Sequence, residues 1–179
     1  LTARRALEDS RNQSHVVLGY AYPRSLPTAT TEKMWRRVFP KAHISITDST
    51  TSECLKLACN CFYSVKVQFF NELALFCRKK KVVYSQLRRM LLLNNFTSPM
   101  HTHVPGPDGK LTFGGMCFPK DTRALLAAMQ SVDSEAQVLR STVCEQQQMR
   151  PNAASDQAES VNLGTVVVRL DGDADQPGA

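Results

Sequence analysis

The densest chemistry in this sequence is a cysteine placed just behind a pair of glycines. The segment reads Phe113-Gly114-Gly115-Met116-Cys117-Phe118-Pro119-Lys120-Asp121. The glycines let backbone approach a ligand closely, because positive φ costs them little. Cys117 falls where a helix is expected to begin, and the N–H groups and positive dipole of a helix start favour thiolate over thiol. Lys120 lies near enough in sequence to add to that effect, and Phe118 can cover one side of the site and restrict water. These types together suit attack by sulfur on an electrophilic carbon. The same residues also read as a structural turn with a buried cysteine.

A second polar group lies upstream. Lys56 and Asn60 are four residues apart and share one helix face. Neither continues the apolar stripe of that helix. This placement suits a polar pocket facing inward, and the competing reading is a solvated outer face.

The elements that must position these residues follow from periodicity. Residues 97–116 carry Pro99, Pro105, Gly106, Pro107, Gly109, Gly114 and Gly115, which exclude regular structure. A loop of that length inside a domain is more often functional than idle. Ahead of it, a helix is expected from Asp48 to about Arg78, capped by Asp48, Ser49 or Thr50, with Glu53 in its acidic first turn. Its stripe of Leu55, Ala58, Phe62, Val65, Phe69, Leu73 and Phe76 recurs every three or four residues. Such a helix packs within a helical domain or against a second subunit.

Before Asp48 the period changes. Residues 3–9 predict a short helix, residues 15–20 a strand, and Pro27 to Phe39 a helix capped by Thr30 or Thr31 and stopped by Pro40. Residues 43–47 predict a second strand. Strand, helix, strand is an α/β pattern, and two strands read as the last piece of a sheet. Beyond the long helix, Val82 to Leu93 predicts a helix that Asn94 and Asn95 end. Asp121 is expected to cap a helix over 122–130, and Ser134 to Met149 a last one, ended by Pro151. Residues 161–170 could form one strand, and the last nine residues are expected to be disordered.

Composition narrows the function classes. The chain has 179 residues, 42% of them hydrophobic, enough for one domain with a sizeable core. No stretch reaches the roughly 20 apolar residues that span a bilayer. The N-terminus has neither a signal-peptide core nor an initiator Met, so a cytoplasmic protein that begins inside a longer chain is expected. The net charge is +6. The acidic stretch after Arg150 carries −4, leaving +10 on residues 1–150, which suits an anionic ligand. No base-stacking motif accompanies the run from Arg78 to Lys81, so nucleic acid is not expected as a partner. The six cysteines show no CxxC, and Cys54, Cys59 and Cys61 have no His at ligand spacing. Neither a metal site nor a disulfide framework is expected, and most of the cysteines read as small buried hydrophobes.

The two polar motifs together resemble the UDP-glucose and GDP-mannose dehydrogenase family. Its nucleophile loop has the form GFGGSCFPKD, and residues 112–121 read Thr-Phe-Gly-Gly-Met-Cys-Phe-Pro-Lys-Asp. Its helix motif, TAExxKYAxNaFLAxKIsFxNE, is matched in register by Thr51-Ser52-Glu53, Lys56, Ala58, Asn60, Phe62, Lys66 and Phe70-Asn71-Glu72. Residues 1–19 resemble the segment that follows the family's NPEFL motif. The resemblance covers roughly residues 1–150. The Val104-Pro105-Gly106-Pro107-Asp108-Gly109 loop leans toward the UDP-glucose branch.

The resemblance implies a fold and a site. The fold would be an α-dominated α/β fragment, a remnant of a Rossmann-like sheet followed by an all-α central domain with one long helix. Residues 1–47 would end the NAD-binding domain and residues 48–150 would form the central dimerisation and catalytic domain. Residues 151–179 would be an acidic tail or the truncated start of a UDP-binding domain. Cys117 would be the nucleophile, Lys56 would stabilise an oxyanion, Asp121 would orient or activate water, and Asn60 would bind the reacting end of the sugar. Leu1, Lys56, Asn60, His101 or His103, Phe113 and Gly114 would contact the UDP-sugar, and Cys117 and Lys120 the cofactor NAD. A homodimer through the central helix is implied. GDP-mannose and UDP-N-acetylmannosamine dehydrogenases are the near alternatives, and a non-catalytic helical dimerisation module is a different class.

Three departures bear on this. Thr112 stands where the family usually has Gly, Met116 where it has Ser, and Ala3 where an acidic residue is common. The 179 residues contain no GxGxxG after a predicted strand, so the chain alone is expected to be inactive.

Overall fold

Near Asp48 the hydrophobic period changes, and there a small sheet gives way to helices. The structure, a computed structural model, describes residues 6–21 and 29–151. The leading α1 (Ala6–Arg11) is followed by β1 (His15–Tyr20), α2 (Ala29–Val38) and β2 (His43–Asp48). The strands pair in parallel, from His15 opposite His43 to Tyr20 opposite Asp48. A parallel pair needs a long crossover, which the segment containing α2 supplies. Both strands lie where the sequence places them; α1 runs on to Arg11 rather than ending at residue 9, and α2 ends at Val38, one residue short of Phe39. Thr30 and Thr31 lie inside α2 rather than at its cap, because the helix already begins at Ala29.

The chain leaves β2 directly into α3 (Ser49–Lys79), a helix of 31 residues. Asp48 is its cap: the carboxylate accepts from the Thr51 N–H at 2.8 Å and from the Thr51 hydroxyl at 2.7 Å. Glu53 falls beyond the first turn and adds nothing to the cap. Where β1 meets the start of α3 only glycine fits, since a Cβ on Gly19 would lie 2.2 Å from the Ser52 hydroxyl. The remaining helices are α4 (Tyr84–Leu92), α5 (Phe118–Gln130) and α6 (Gln137–Met149). α3 touches both strands and α4, α5 and α6, so it is the spine of the fold.

α3 turns its polar side inward. Cys61, Ser64, Gln68, Asn71 and Cys77 are buried at helical spacing, and Phe70 is buried as well. Phe62, Phe69 and Phe76 of the apolar stripe are each more than half exposed, at 64%, 54% and 55%. Periodicity finds two faces but cannot say which one the rest of the chain covers.

Other boundaries shift for local reasons. α5 starts at Phe118, so Asp121 sits inside its first turn and Cys117 takes the cap position. Pro119, having no N–H to satisfy, is well tolerated at a helix start. α6 begins at Gln137 rather than Ser134, because Asp133 and Ala136 adopt positive φ in the preceding turn. Only Cys61 and Cys77 are buried; Cys54, Cys59, Cys117 and Cys144 are exposed, against the expectation for most of them. Their small side chains sit on helix faces, or on a loop, that no other described element covers. The expected strand over 161–170 and the disordered terminus lie outside the described residues. Among the described residues no helix is long and apolar enough to cross a membrane.

One contact between α3 and α6 is pH-sensitive. A hydrogen bond with Glu145, then burial and the Glu145 charge, push the Glu72 carboxyl up to about 7. A raised carboxyl favours the protonated native state. Its contribution is therefore full below the ordinary value of 4.5 and is lost as pH rises through about 7. Thermal unfolding of Glu72→Gln and the unmutated chain should give similar midpoints near the lower limit. Above the upper one the variant should melt a few degrees higher.

Candidate active site

Four side chains from two helices meet at the start of α5. Asp121 is buried, 1% exposed, and Lys56 reaches its Oδ2 at 3.2 Å from α3. The Asn60 amide donates to the same oxygen at 2.6 Å, and Lys120 donates to Oδ1. The spacing of Lys56 and Asn60 thus serves one inward target, although the ammonium itself remains exposed. Burial pushes the Asp121 carboxyl up. The hydrogen bonds from Lys120, Asn60 and Lys56, with the Lys56 charge, outweigh it and hold the group at about 2. Asp121 is a carboxylate at neutral pH. The bond to Asp121 in turn pushes the Lys120 ammonium up, so it stays charged.

Cys117 lies one turn ahead. Its carbonyl accepts from the Asp121 N–H at 2.9 Å, and its side chain is exposed. The loop before it is held from behind by buried polar groups. The Thr112 N–H donates to Asn71 Oδ1 at 2.9 Å, and its hydroxyl donates to Gln68 Oε1 at 2.5 Å. Gln146 of α6 donates to the Phe113 carbonyl at 3.2 Å. Thr112 adopts φ +55, a conformation glycine would reach more cheaply. Its two hydrogen bonds offset that cost.

In front of the loop is a cavity of about 620 Å³. Its lining includes His101, His103, Asp108, Phe113, Gly114 and Phe118. His101 packs between Tyr63 and Phe118, with ring centroids 4.9 and 5.4 Å apart. Burial, then the Lys66 charge, push its imidazole below the usual value, so it is neutral at pH 7. Arg88 of α4 fixes this rim, donating to the Thr102 hydroxyl at 2.7 Å and to His103 Nε2 at 2.9 Å.

The structure therefore makes two groups of the expected residues. Lys56, Asn60, Lys120 and Asp121 form the charged cluster, while His101, Phe113 and Gly114 line the cavity. Cys117 stands between them in sequence, flanked by the lining residues Gly115 and Phe118 without itself lining the cavity. Leu1 lies outside the described residues. Sequence reasoning missed Gln68, Gln146, Arg88 and Arg150 as structural partners of the site. For Gln68 a signal existed, since Asn60, Ser64, Gln68 and Asn71 form a polar stripe on a helix otherwise read from its apolar one.

The fold matches that of a solved dehydrogenase. A UDP-glucose dehydrogenase from the hyperthermophilic archaeon Pyrobaculum islandicum superposes with TM-score 0.65 and 23% identity over 82% of this chain and 32% of that one. The sequence profile of the UDP-glucose/GDP-mannose dehydrogenase family, central domain, matches residues 50–146, and the chain belongs to that family. A UDP-glucose 6-dehydrogenase of Rhizobium meliloti (strain 1021) is 29% identical over 77% of this chain and 31% of its own length. Another from Rickettsia felis is 28% identical over 94% of this chain and 34% of its own length. The chain thus spans about a third of the length of the curated relatives it matches.

The Asp121 cluster makes a measurable statement about acid. Its depressed carboxyl contributes stability that is full above the ordinary value of 3.8 and is lost as pH falls through about 2. Asp121→Asn should cost on the order of 2 kcal/mol at neutral pH. In urea titrations that difference should close as pH falls through this window.

Proposed function

We propose that this chain carries the sulfur nucleophile of an NAD-dependent UDP-glucose 6-dehydrogenase. The observation that carries the reading is the placement of Cys117. Its side chain is exposed at the start of α5, and Gly115 and Phe118, near it in sequence, line an open cavity that Cys117 itself does not line. One turn on, two ammonium groups converge on a buried carboxylate.

The reaction would convert the C6 alcohol of the sugar to a carboxylate in two oxidations. NAD, when bound, would accept the hydrides, a first molecule at the alcohol-to-aldehyde step and a second at the thiohemiacetal-to-thioester step. The structure supports its approach at Cys117 and Lys120, both exposed, beside Gly115, where an added Cβ would meet nothing within 4 Å. The Cys117 thiolate attacks the C6 aldehyde and forms a carbon–sulfur bond, giving a thiohemiacetal. Loss of the second hydride leaves a thioester. Water then adds to the acyl carbon, the carbon–sulfur bond breaks, and the carboxylate departs with the thiolate restored.

Each neighbouring group has a task in this scheme. Lys56 stabilises the oxyanion of the tetrahedral states, since its ammonium is held near the site yet open to a ligand. Asp121, a carboxylate of about 2, is too weak a base to take a proton from water and instead orients it as a hydrogen-bond acceptor. Asn60 gives its amide N–H to Asp121 and keeps its oxygen for the reacting end of the sugar. Phe113 and Gly114 line the UDP-sugar cavity. His101, neutral and stacked, offers surface and a hydrogen bond rather than charge to the phosphates. Leu1 is proposed at the substrate on the resemblance alone. With no glycine-rich dinucleotide turn in its 179 residues, the chain by itself should not turn over.

A second reading rests on α3. The exposed Leu55, Phe62, Phe69 and Phe76 suit a symmetric pairing of two chains, and a non-catalytic dimerisation module would need only that. The two readings are compatible for an enzyme that works as a homodimer. Phe69→Asp should convert a dimer to a monomer in sedimentation at tens of micromolar, without loss of helix content. A monomeric unmutated chain would remove the pairing.

Thiol chemistry separates the readings. In a chain restored to full length, Cys117 should react faster with iodoacetamide than Cys144, and UDP-glucose should protect it. Equal labelling unaffected by UDP-glucose would overturn the assignment. Where a dinucleotide-binding element is supplied, Cys117→Ser should abolish formation of the acid. Lys56→Ala should slow it on the order of 10²–10³-fold.

A further inference from the structure

The side chain with the most unusual setting outside the charged cluster is Arg150. It follows α6 directly, and its N–H closes the helix on the Gln146 carbonyl. It is only 8% exposed. One guanidinium nitrogen donates to Asp108 Oδ2 at 2.6 Å. Its flat face occupies the space in front of Gly114, where an added Cβ would lie 2.4 Å from Cζ and 2.6 and 2.7 Å from the two terminal nitrogens. Asp108 and Gly114 both line the cavity, and Arg150 does not.

We propose that Arg150 is a positioning residue for the nucleophile loop, joining Asp108 and Gly114 into one rigid wall of the cavity ahead of Cys117. Its consequence for substrate rests on the reading of Cys117 as the nucleophile; the brace itself is a property of the loop. Three observations support it. The Arg150 contact continues a pattern, because Gln146, four residues earlier on α6, holds the Phe113 carbonyl. Successive turns of one helix thus hold successive loop residues. Asp108 is itself fixed, since its Oδ1 accepts from the Lys110 N–H at 3.1 Å, and the Gly106 N–H donates to the Lys110 carbonyl at 2.9 Å. Finally, a guanidinium is flat enough to lie on glycine backbone while it binds a carboxylate, which an ammonium is not.

The test uses the full 179-residue chain and amide hydrogen exchange. Arg150→Met should speed exchange over residues 106–116 by about ten-fold or more while α3 amides hold their rates, as expected for local opening. Arg150→Lys should fall between the two. Gly114→Ala alone should also loosen the loop. Added to Arg150→Ala it should change little further, because the Cβ then enters vacated space, a non-additivity diagnostic of direct contact. A general structural loss would accelerate α3 as well; should Arg150→Met do that, Arg150→Lys and Asp108→Asn decide by the same criterion. In a chain restored to full length, the concentration of UDP-glucose that half-protects Cys117 from iodoacetamide should rise in Arg150→Met by on the order of ten-fold. Unchanged exchange in the loop, or additive effects of Gly114→Ala and Arg150→Ala, would overturn the brace. Failure of UDP-glucose to protect Cys117 in a chain restored to full length would instead overturn the dehydrogenase reading, and the exchange rates would still judge Arg150.

Discussion

Everything around Cys117 depends on a few buried amide side chains that bond to loop backbone. Gln68 and Asn71 on α3 hold Thr112, and Gln146 on α6 holds Phe113. A loop rich in glycine and proline has no ladder of its own, so its backbone groups must find partners elsewhere or stay in water. Here the helices supply them. The hydrogen bonds are directional, which an apolar contact is not, and they fix the loop in place rather than merely covering it. The requirement also explains the orientation of α3. To bring Ser64, Gln68 and Asn71 against the loop and α5, the helix must present that polar side inward, with Phe70 buried as well, and leave Phe62, Phe69 and Phe76 outside.

The second constraint is electrostatic. Asp121 is buried beneath two exposed ammonium groups, and the cluster carries one more positive than negative charge. A buried carboxylate without partners would neutralise itself by taking a proton. With Lys56, Asn60 and Lys120 it cannot, and it becomes a fixed negative anchor that keeps both lysines near the site. Cys117, Lys120 and Asp121 are neighbours on a single turn, so the first turn of α5 sets the geometry of the whole cluster.

The sequence exposed much of this and concealed some of it. Both strands, the long helix, the irregular loop and the group Lys56, Asn60, Asp121 and Cys117 are legible from spacing and from the resemblance. Helix starts were less so. Asp121 looks like a cap because Asp commonly is one, but Cys117 takes that place once Pro119 has begun the helix. The direction of α3 was hidden because an apolar stripe signals burial in some assembly, not in this chain. The loop partners were hidden for another reason. Gln146 and Arg150 act on residues more than thirty positions away, and no local pattern encodes such a pairing.

The phenylalanines of α3 carry a geometric consequence. Leu55, Phe62, Phe69 and Phe76 are spaced seven apart, two turns at 3.5 residues each. An α-helix turns every 3.6, so the row drifts about 20° around the axis with each heptad. From Leu55 to Phe76 the drift amounts to about 60°. A straight neighbour could seat the middle of the row and would miss its ends. To seat all four, the two rods must coil gently around each other in the left-handed sense. Any partner that seated the whole row would have to follow that curvature.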